Sequence, residues 1–208
     1  VFRGLNAPSQ TRSQDTLIFP DTRFLHQNLV PLPETADELR HVAQATQRFS
    51  TTQPALYLQH DATETRLKQL NQNGELQRVK ILSFATHALL PYEAATNQTE
   101  AGLVLTPPMQ GNADDDGFLS SGEIAALKLN ADWVLLSACN TATLNDTDTY
   151  AGLSALSKAF ITAGSRSVLA SHWSVNSNAT QSLVTDIFSR LQQTPSLSRA
   201  EALRQSML

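Results

Sequence analysis

Short apolar runs alternate along this chain with longer stretches in which apolar residues recur every three or four positions. The runs are Leu17-Ile18-Phe19, Ala55-Leu56-Tyr57-Leu58, Val79 to Ala85, Gly102 to Thr106, Trp133 to Ala138 and Ser167 to Ala170. Their length predicts strands. Pro20-Asp21 closes the first and Pro107-Pro108 stops the fourth. The helical stretches carry Leu39, Val42 and Ala43, then Leu67 and Leu70, then Ile124, Leu127 and Leu129. A helix over 151–163 carries Leu153, Leu156 and Phe160, and one from about Asn178 carries Leu183, Val184, Ile187, Phe188 and Leu191. Ser198 to Leu208 is helical in pattern as well. Thr35 with Glu38, Asp61 with Glu64, and Ser120 with Glu123 have the spacing of capping boxes. Asn73-Gly74 and Gly164 mark helix ends.

From residue 55 onward strands and helices alternate, and the central strands are apolar throughout. Strands buried on both faces read this way. The pattern predicts an α/β sandwich with a largely parallel sheet. In such sheets ligands bind at the carboxyl ends of the strands.

The 208 residues, 41% hydrophobic and 16% charged, suit a soluble domain with a substantial core. Residues 1–14 are polar and aperiodic and predict a flexible arm, leaving 15–208 as the folded domain. A start at Val1 and a stop inside a helical pattern read as a fragment of a longer protein. The net charge of −4, with dispersed Lys and Arg, predicts no nucleic-acid partner. No apolar run is long enough for a membrane span, and no signal peptide is visible. The single cysteine excludes an intrachain disulfide and fits a reducing, cytoplasmic setting.

That cysteine, Cys139, follows the apolar run 133–138, and His87 follows the run 79–85. A cysteine hydrolase needs a thiolate nucleophile and a histidine to take its proton or hold its charge. The separation of 52 residues (139 minus 87) agrees with the caspase pattern of a histidine about fifty residues before the cysteine. The alternative for Cys139 is a small inert core residue.

Further blocks extend the pattern. They are Leu32-Pro33-Glu34-Thr35-Ala36-Asp37-Glu38-Leu39, Asp61-Ala62-Thr63-Glu64, Phe84-Ala85-Thr86-His87 and Asp116-Gly117-Phe118-Leu119. Leu136-Ser137-Ala138-Cys139-Asn140-Thr141 and Ser171-His172-Trp173-Ser174-Val175 follow. In this order the chain resembles the CHAT domain, a caspase-like peptidase domain commonly found with tetratricopeptide repeats. The resemblance runs from about Leu32 to Leu203. It implies a caspase-like three-layer α/β sandwich and a cysteine endopeptidase acting on a protein or peptide substrate. It implies His87 and Cys139 as the catalytic dyad, with backbone N–H groups of Ala88 and Cys139 as the oxyanion hole. It also implies a tetratricopeptide-repeat region upstream. Ala88 stands where the family usually has glycine, and Asn176 and Ser177 where it often has an acidic pair.

Substrate-binding candidates are Asp146 and Asp148, placed by the pattern in a loop 140–150, together with Trp173 and Ser177. The two aspartates favour Arg or Lys at P1. A catalytically inactive interaction or scaffold domain of the same fold is the alternative function. A third reading is a calcium-binding regulatory module. Asn112, Asp114, Asp116 and Glu123 fall near EF-hand spacing, with Gly117 at the turn position. No cofactor is otherwise expected, and His26, His41 and His60 have no metal-ligand spacing with Cys139.

Overall fold

The computed structural model describes residues 22–47, 53–90, 100–112, 114–137, 146–170 and 177–208, and of residues 23, 28, 146–152, 177 and 178 only the backbone. The 1–14 arm, the run 17–19 and the segments at 138–145 and 171–176 lie outside the described residues.

Among the described residues three strands form a parallel sheet: β1 (Ile81–Ala85), then, further along the chain, β5 (Trp133–Ser137) and β6 (Val168–Ala170), in the order β1-β5-β6. Between β1 and β5 in sequence, β2 (Ala88–Leu89), β3 (Gly102–Val104) and β4 (Phe118–Ser120) form a small antiparallel sheet. The helices are α1 (Thr22–Asn28), α2 (Glu34–Thr46), α3 (Glu64–Gln72), α4 (Ser121–Ala125), α5 (Asp146–Thr162), α6 (Ser177–Gln193) and α7 (Arg199–Ser206).

Period-two alternation along β5 divides the core. Trp133 and Leu135 pack with Val42 of α2, with Val184, Ile187 and Phe188 of α6, and with Ala202 of α7. The rings of Trp133 and Phe188 meet edge to face at 5.3 Å. Val134 and Leu136 face the other way, onto Leu156, Ala159 and Phe160 of α5 and Ile124 of α4. The result is helix, parallel sheet, helix: the expected three-layer α/β sandwich with a largely parallel central sheet. All four of these β5 residues are buried because β5 is the central strand.

Local signals decided some boundaries and misled on others. Ser120 and Glu123 form the expected reciprocal capping box for α4, which is shorter than its apolar pattern. Gly164 ends α5 at φ +111, and a Cβ there would collide with the carbonyl oxygen of Leu129. Thr35 and Glu38 form no box. Pro33 caps α2, the Thr35 hydroxyl donates to the Leu32 carbonyl, and Glu38 is buried. Thr63, not Asp61, caps α3, accepting from the Arg66 N–H. That frees Glu64, 1% exposed, to accept the N–H groups of Asp116 and Gly117 at 2.9 and 2.7 Å. Residues 55–58 are extended but pair with no described strand. Residues 102–104 join the antiparallel sheet, because the adjacent hairpin partners β2 and β4 were too short to read. The 140–150 loop gives way to helix from Asp146.

Candidate active site

His87 lies where the chain passes from the parallel to the antiparallel sheet. β1 and β5 pair in register from Ile81 with Trp133 to Ala85 with Ser137. The Thr86 N–H then donates to the Ser137 carbonyl at 3.2 Å, extending the ladder by one bond. On its other side Thr86 donates its hydroxyl to the Val104 carbonyl of β3. The Val104 N–H donates to the His87 carbonyl at 2.8 Å. The backbone of residues 86 and 87 is therefore held by both sheets. Cys139 is outside the described residues, but its strand is not: Ser137, two residues before it, faces Ala85, two residues before His87.

The imidazole is 8% exposed, and its Nε2 lies 2.7 Å from the carbonyl oxygen of Val30, in the α1–α2 connection. A carbonyl only accepts, so Nε2 carries the proton. In the neutral ring Nδ1 then holds the lone pair. Nδ1 is buried and has no hydrogen-bond partner among the described residues. The Val30 contact fixes both the ring and its tautomer, leaving a buried basic nitrogen for another group.

Ala88 follows with ordinary strand backbone, as the only non-glycine residue with positive φ among those described is Gln59. Alanine is thus no strain where the family favours glycine. Because the Val104 N–H bonds the His87 carbonyl, the next pair, Ala88 with Leu103, is the non-hydrogen-bonded kind. The Ala88 N–H is directed away from β3.

A sequence model of the CHAT domain matches residues 2–208. The chain belongs to the CHAT domain family. No curated protein matches it. Family membership relates this CHAT domain to the caspase-like peptidases, and the three-layer sandwich is compatible with that relation.

The strand order also arranges the other candidates of this CHAT domain. Trp173 follows β6 and lies outside the described residues; Ser177 begins α6, and its side chain is not described. The strand leading to Cys139 runs between the strand leading to His87 and the strand leading to Trp173. Asp146 and Asp148 occupy the first turn of α5 instead of a loop, their side chains outside the described set.

One buried polar side chain escaped the sequence reading as such. Glu38, on α2, is 4% exposed. Burial pushes its carboxyl above the usual glutamate range, against a smaller lowering influence of the Ser137 side chain, and the charge of Glu34 adds to the rise. The available signal was its spacing: Glu38, Val42 and Thr46 share one face, and all three are buried.

The acidic segment 112–123 is engaged with the protein's own groups. Asp115 accepts from the Thr65 hydroxyl at 2.5 Å and its N–H at 3.2 Å. Asp116 accepts from the Phe118 N–H at 2.8 Å. The Lys68 ammonium lies 2.7 Å from Glu123, 3.0 Å from Glu64 and 2.6 Å from the Asp114 carbonyl. Among the described residues no group of three or more His, Cys, Asp or Glu side chains could hold a metal ion. None of the described helices is long and apolar enough to cross a membrane.

Proposed function

We propose that this CHAT domain is a caspase-like cysteine endopeptidase with Cys139 as nucleophile and His87 as its acid–base partner. The observation that carries the reading is the pairing of β1 with β5, which ends at Ala85 and Ser137, two residues short of the histidine and the cysteine respectively. Nδ1 of His87, buried and basic, takes the thiol proton and returns it to the leaving amine. The thiolate attacks the scissile carbonyl, and the C–N bond breaks as the amine departs. Water then hydrolyses the thioester. Backbone N–H groups of Ala88 and Cys139 stabilise the tetrahedral oxyanion, a role supported for Ala88 by its direction away from β3.

Asp146, Asp148, Trp173 and Ser177 form the substrate-binding set of this reading, with Arg or Lys at P1. A tetratricopeptide-repeat region elsewhere in the full protein presents the substrate or controls access to the site. The deciding experiment is active-site labelling with a peptide acyloxymethyl ketone ending in arginine. Labelling at Cys139 that disappears in His87→Ala supports the dyad. Absence of both labelling and peptide cleavage in the folded wild-type protein would favour the non-catalytic scaffold instead.

A further inference from the structure

Burying a carboxylate is costly unless it is paired and hydrogen-bonded. Glu64, on α3, is 1% exposed. Its Oε2 accepts the N–H groups of Asp116 and Gly117 at 2.9 and 2.7 Å, and its Oε1 lies 3.0 Å from the Lys68 ammonium. The turn it binds is tight. Gly117 has φ +84, and a Cβ there would stand 2.5 Å from the Pro107 side chain. Two consecutive backbone N–H groups point to one place, and only an acceptor satisfies them. An apolar side chain at position 64 would leave the buried Gly117 N–H unpaired.

We propose that Glu64 is a positioning residue: by fixing the turn at Gly117 it holds β3 in place, and β3 holds the backbone at His87 and Ala88. The inference rests on the cysteine-peptidase reading for its effect on turnover. The bonds run without a gap from the carboxylate to the histidine. The Gly117 carbonyl accepts the Leu105 N–H at 2.9 Å, and Phe118 faces Val104 in the β3–β4 register. The Val104 N–H donates to the His87 carbonyl at 2.8 Å, and the Val104 carbonyl accepts the Thr86 hydroxyl. β2, β3 and β4 have only two, three and three residues, shorter than the usual strand, so their ladders alone hold weakly. The tie to α3 restrains this small sheet from outside. A shift of β3 would move the His87 imidazole and the Ala88 N–H together. Ångström-scale misplacement of such groups lowers turnover steeply, while binding through remote contacts persists.

The test uses Glu64→Leu, which removes the acceptor, and Glu64→Gln, which keeps an acceptor oxygen. Asn71→Ala is the control: it removes a different bond of α3, to the Lys128 N–H at 2.7 Å, at the other end of the helix. Two readouts are taken. One is kcat and KM on a peptide cleaved by the wild type. The other is amide hydrogen exchange at Val104 and Leu105, compared with Leu135 of β5, which needs no peptidase activity. Glu64→Leu is expected to speed exchange at Val104 and Leu105 at least about tenfold more than at Leu135. It is also expected to lower kcat at least about tenfold with KM within about twofold. Glu64→Gln is expected to stay within about threefold of wild type in both readouts. Asn71→Ala is expected to lower the urea midpoint with kcat within about twofold of wild type. Wild-type exchange at Val104, or wild-type kcat, in a folded Glu64→Leu protein would overturn the proposal. So would a Glu64→Gln protein as impaired as Glu64→Leu, or an equal loss of kcat in Asn71→Ala, which would mark general destabilisation. If Glu64→Leu does not fold, Glu64→Asp, whose carboxylate is one methylene short of the turn, carries the same test. If the wild type cleaves no peptide, the peptidase reading fails separately, and exchange at Val104 alone decides whether Glu64 holds β3.

Discussion

Ala85 and Ser137 face each other at the last register position between β1 and β5, and from this pair the two chains depart toward His87 and Cys139. The 52 positions between Ala85 and Ser137 in sequence (137 minus 85) thus become adjacency at one end of the sheet. Neighbouring strands lie only about 4.8 Å apart, which is within reach of two side chains acting together.

Cys139→Ala is expected to abolish peptide cleavage, and His87→Ala to lower kcat/KM by roughly 10²–10⁴-fold, the usual contribution of a positioned general base. Neither change should unfold the protein, because His87 follows the end of β1 and belongs to none of the hydrophobic clusters, and Cys139 follows the end of β5 in sequence. Steady-state kinetics beside circular dichroism check this. Cleavage retained by a folded Cys139→Ala protein would end the cysteine-peptidase reading.

A P1 series of otherwise identical peptides tests specificity. Arg is expected to be turned over faster than Leu or Asp, with the preference for Arg falling in Asp146→Ala and Asp148→Ala. Both aspartates sit in the first turn of α5, where negative charge also favours a helix by about 0.3–1 kcal/mol. A loss of thermal stability with an unchanged Arg-to-Leu ratio would therefore assign them to the helix and not to the substrate.

Leu135→Ala is expected to destabilise the domain by about 2–5 kcal/mol, as truncation of a buried leucine does. Leu135 is buried against Val184 and Ile187 at the centre of the sheet, where neighbours on both sides prevent collapse of the cavity. Urea denaturation measures the change. A cost well under 1 kcal/mol would contradict this packing.

Asp116 predicts a pH dependence of stability. Its carboxyl is pushed from 3.8 up to about 7, chiefly by burial, against the Phe118 N–H bond and with the charges of Glu64 and Glu123. Between these values the folded state holds a proton that the unfolded chain has released. This contribution is full below the unfolded value and is lost as pH rises through about 7. Asp116→Asn keeps the acceptor for Phe118 without the charge. The variant should match the wild type near pH 4 and be more stable at pH 8. Urea midpoints at the two pH values give the answer, and a gap that does not change with pH would remove Asp116 as its source.

Much of this protein was legible before folding because its signals are local. The continuous apolar character of 133–136 announced a strand buried on both faces, Ser120 and Glu123 announced a helix start, and Gly164 a helix end. The motifs around His87 and Cys139 pointed to the CHAT family, to which the chain belongs. The neighbouring positions of β1 and β5, which lead in sequence to the two candidate residues, depended on pairing between distant segments, which no local pattern encodes. The same holds for Glu38. Its spacing from Thr35 has the form of a capping box, but Pro33 caps the helix and packing of α2 buries the carboxyl. Residues 55–58 had the composition of a strand and found no described partner, since a strand is completed by the edge it meets. Sequence determined which segments could be helix or strand and which residues could carry chemistry. Tertiary structure decided which of them meet, because hydrogen-bond ladders and burial are satisfied between segments far apart in the chain.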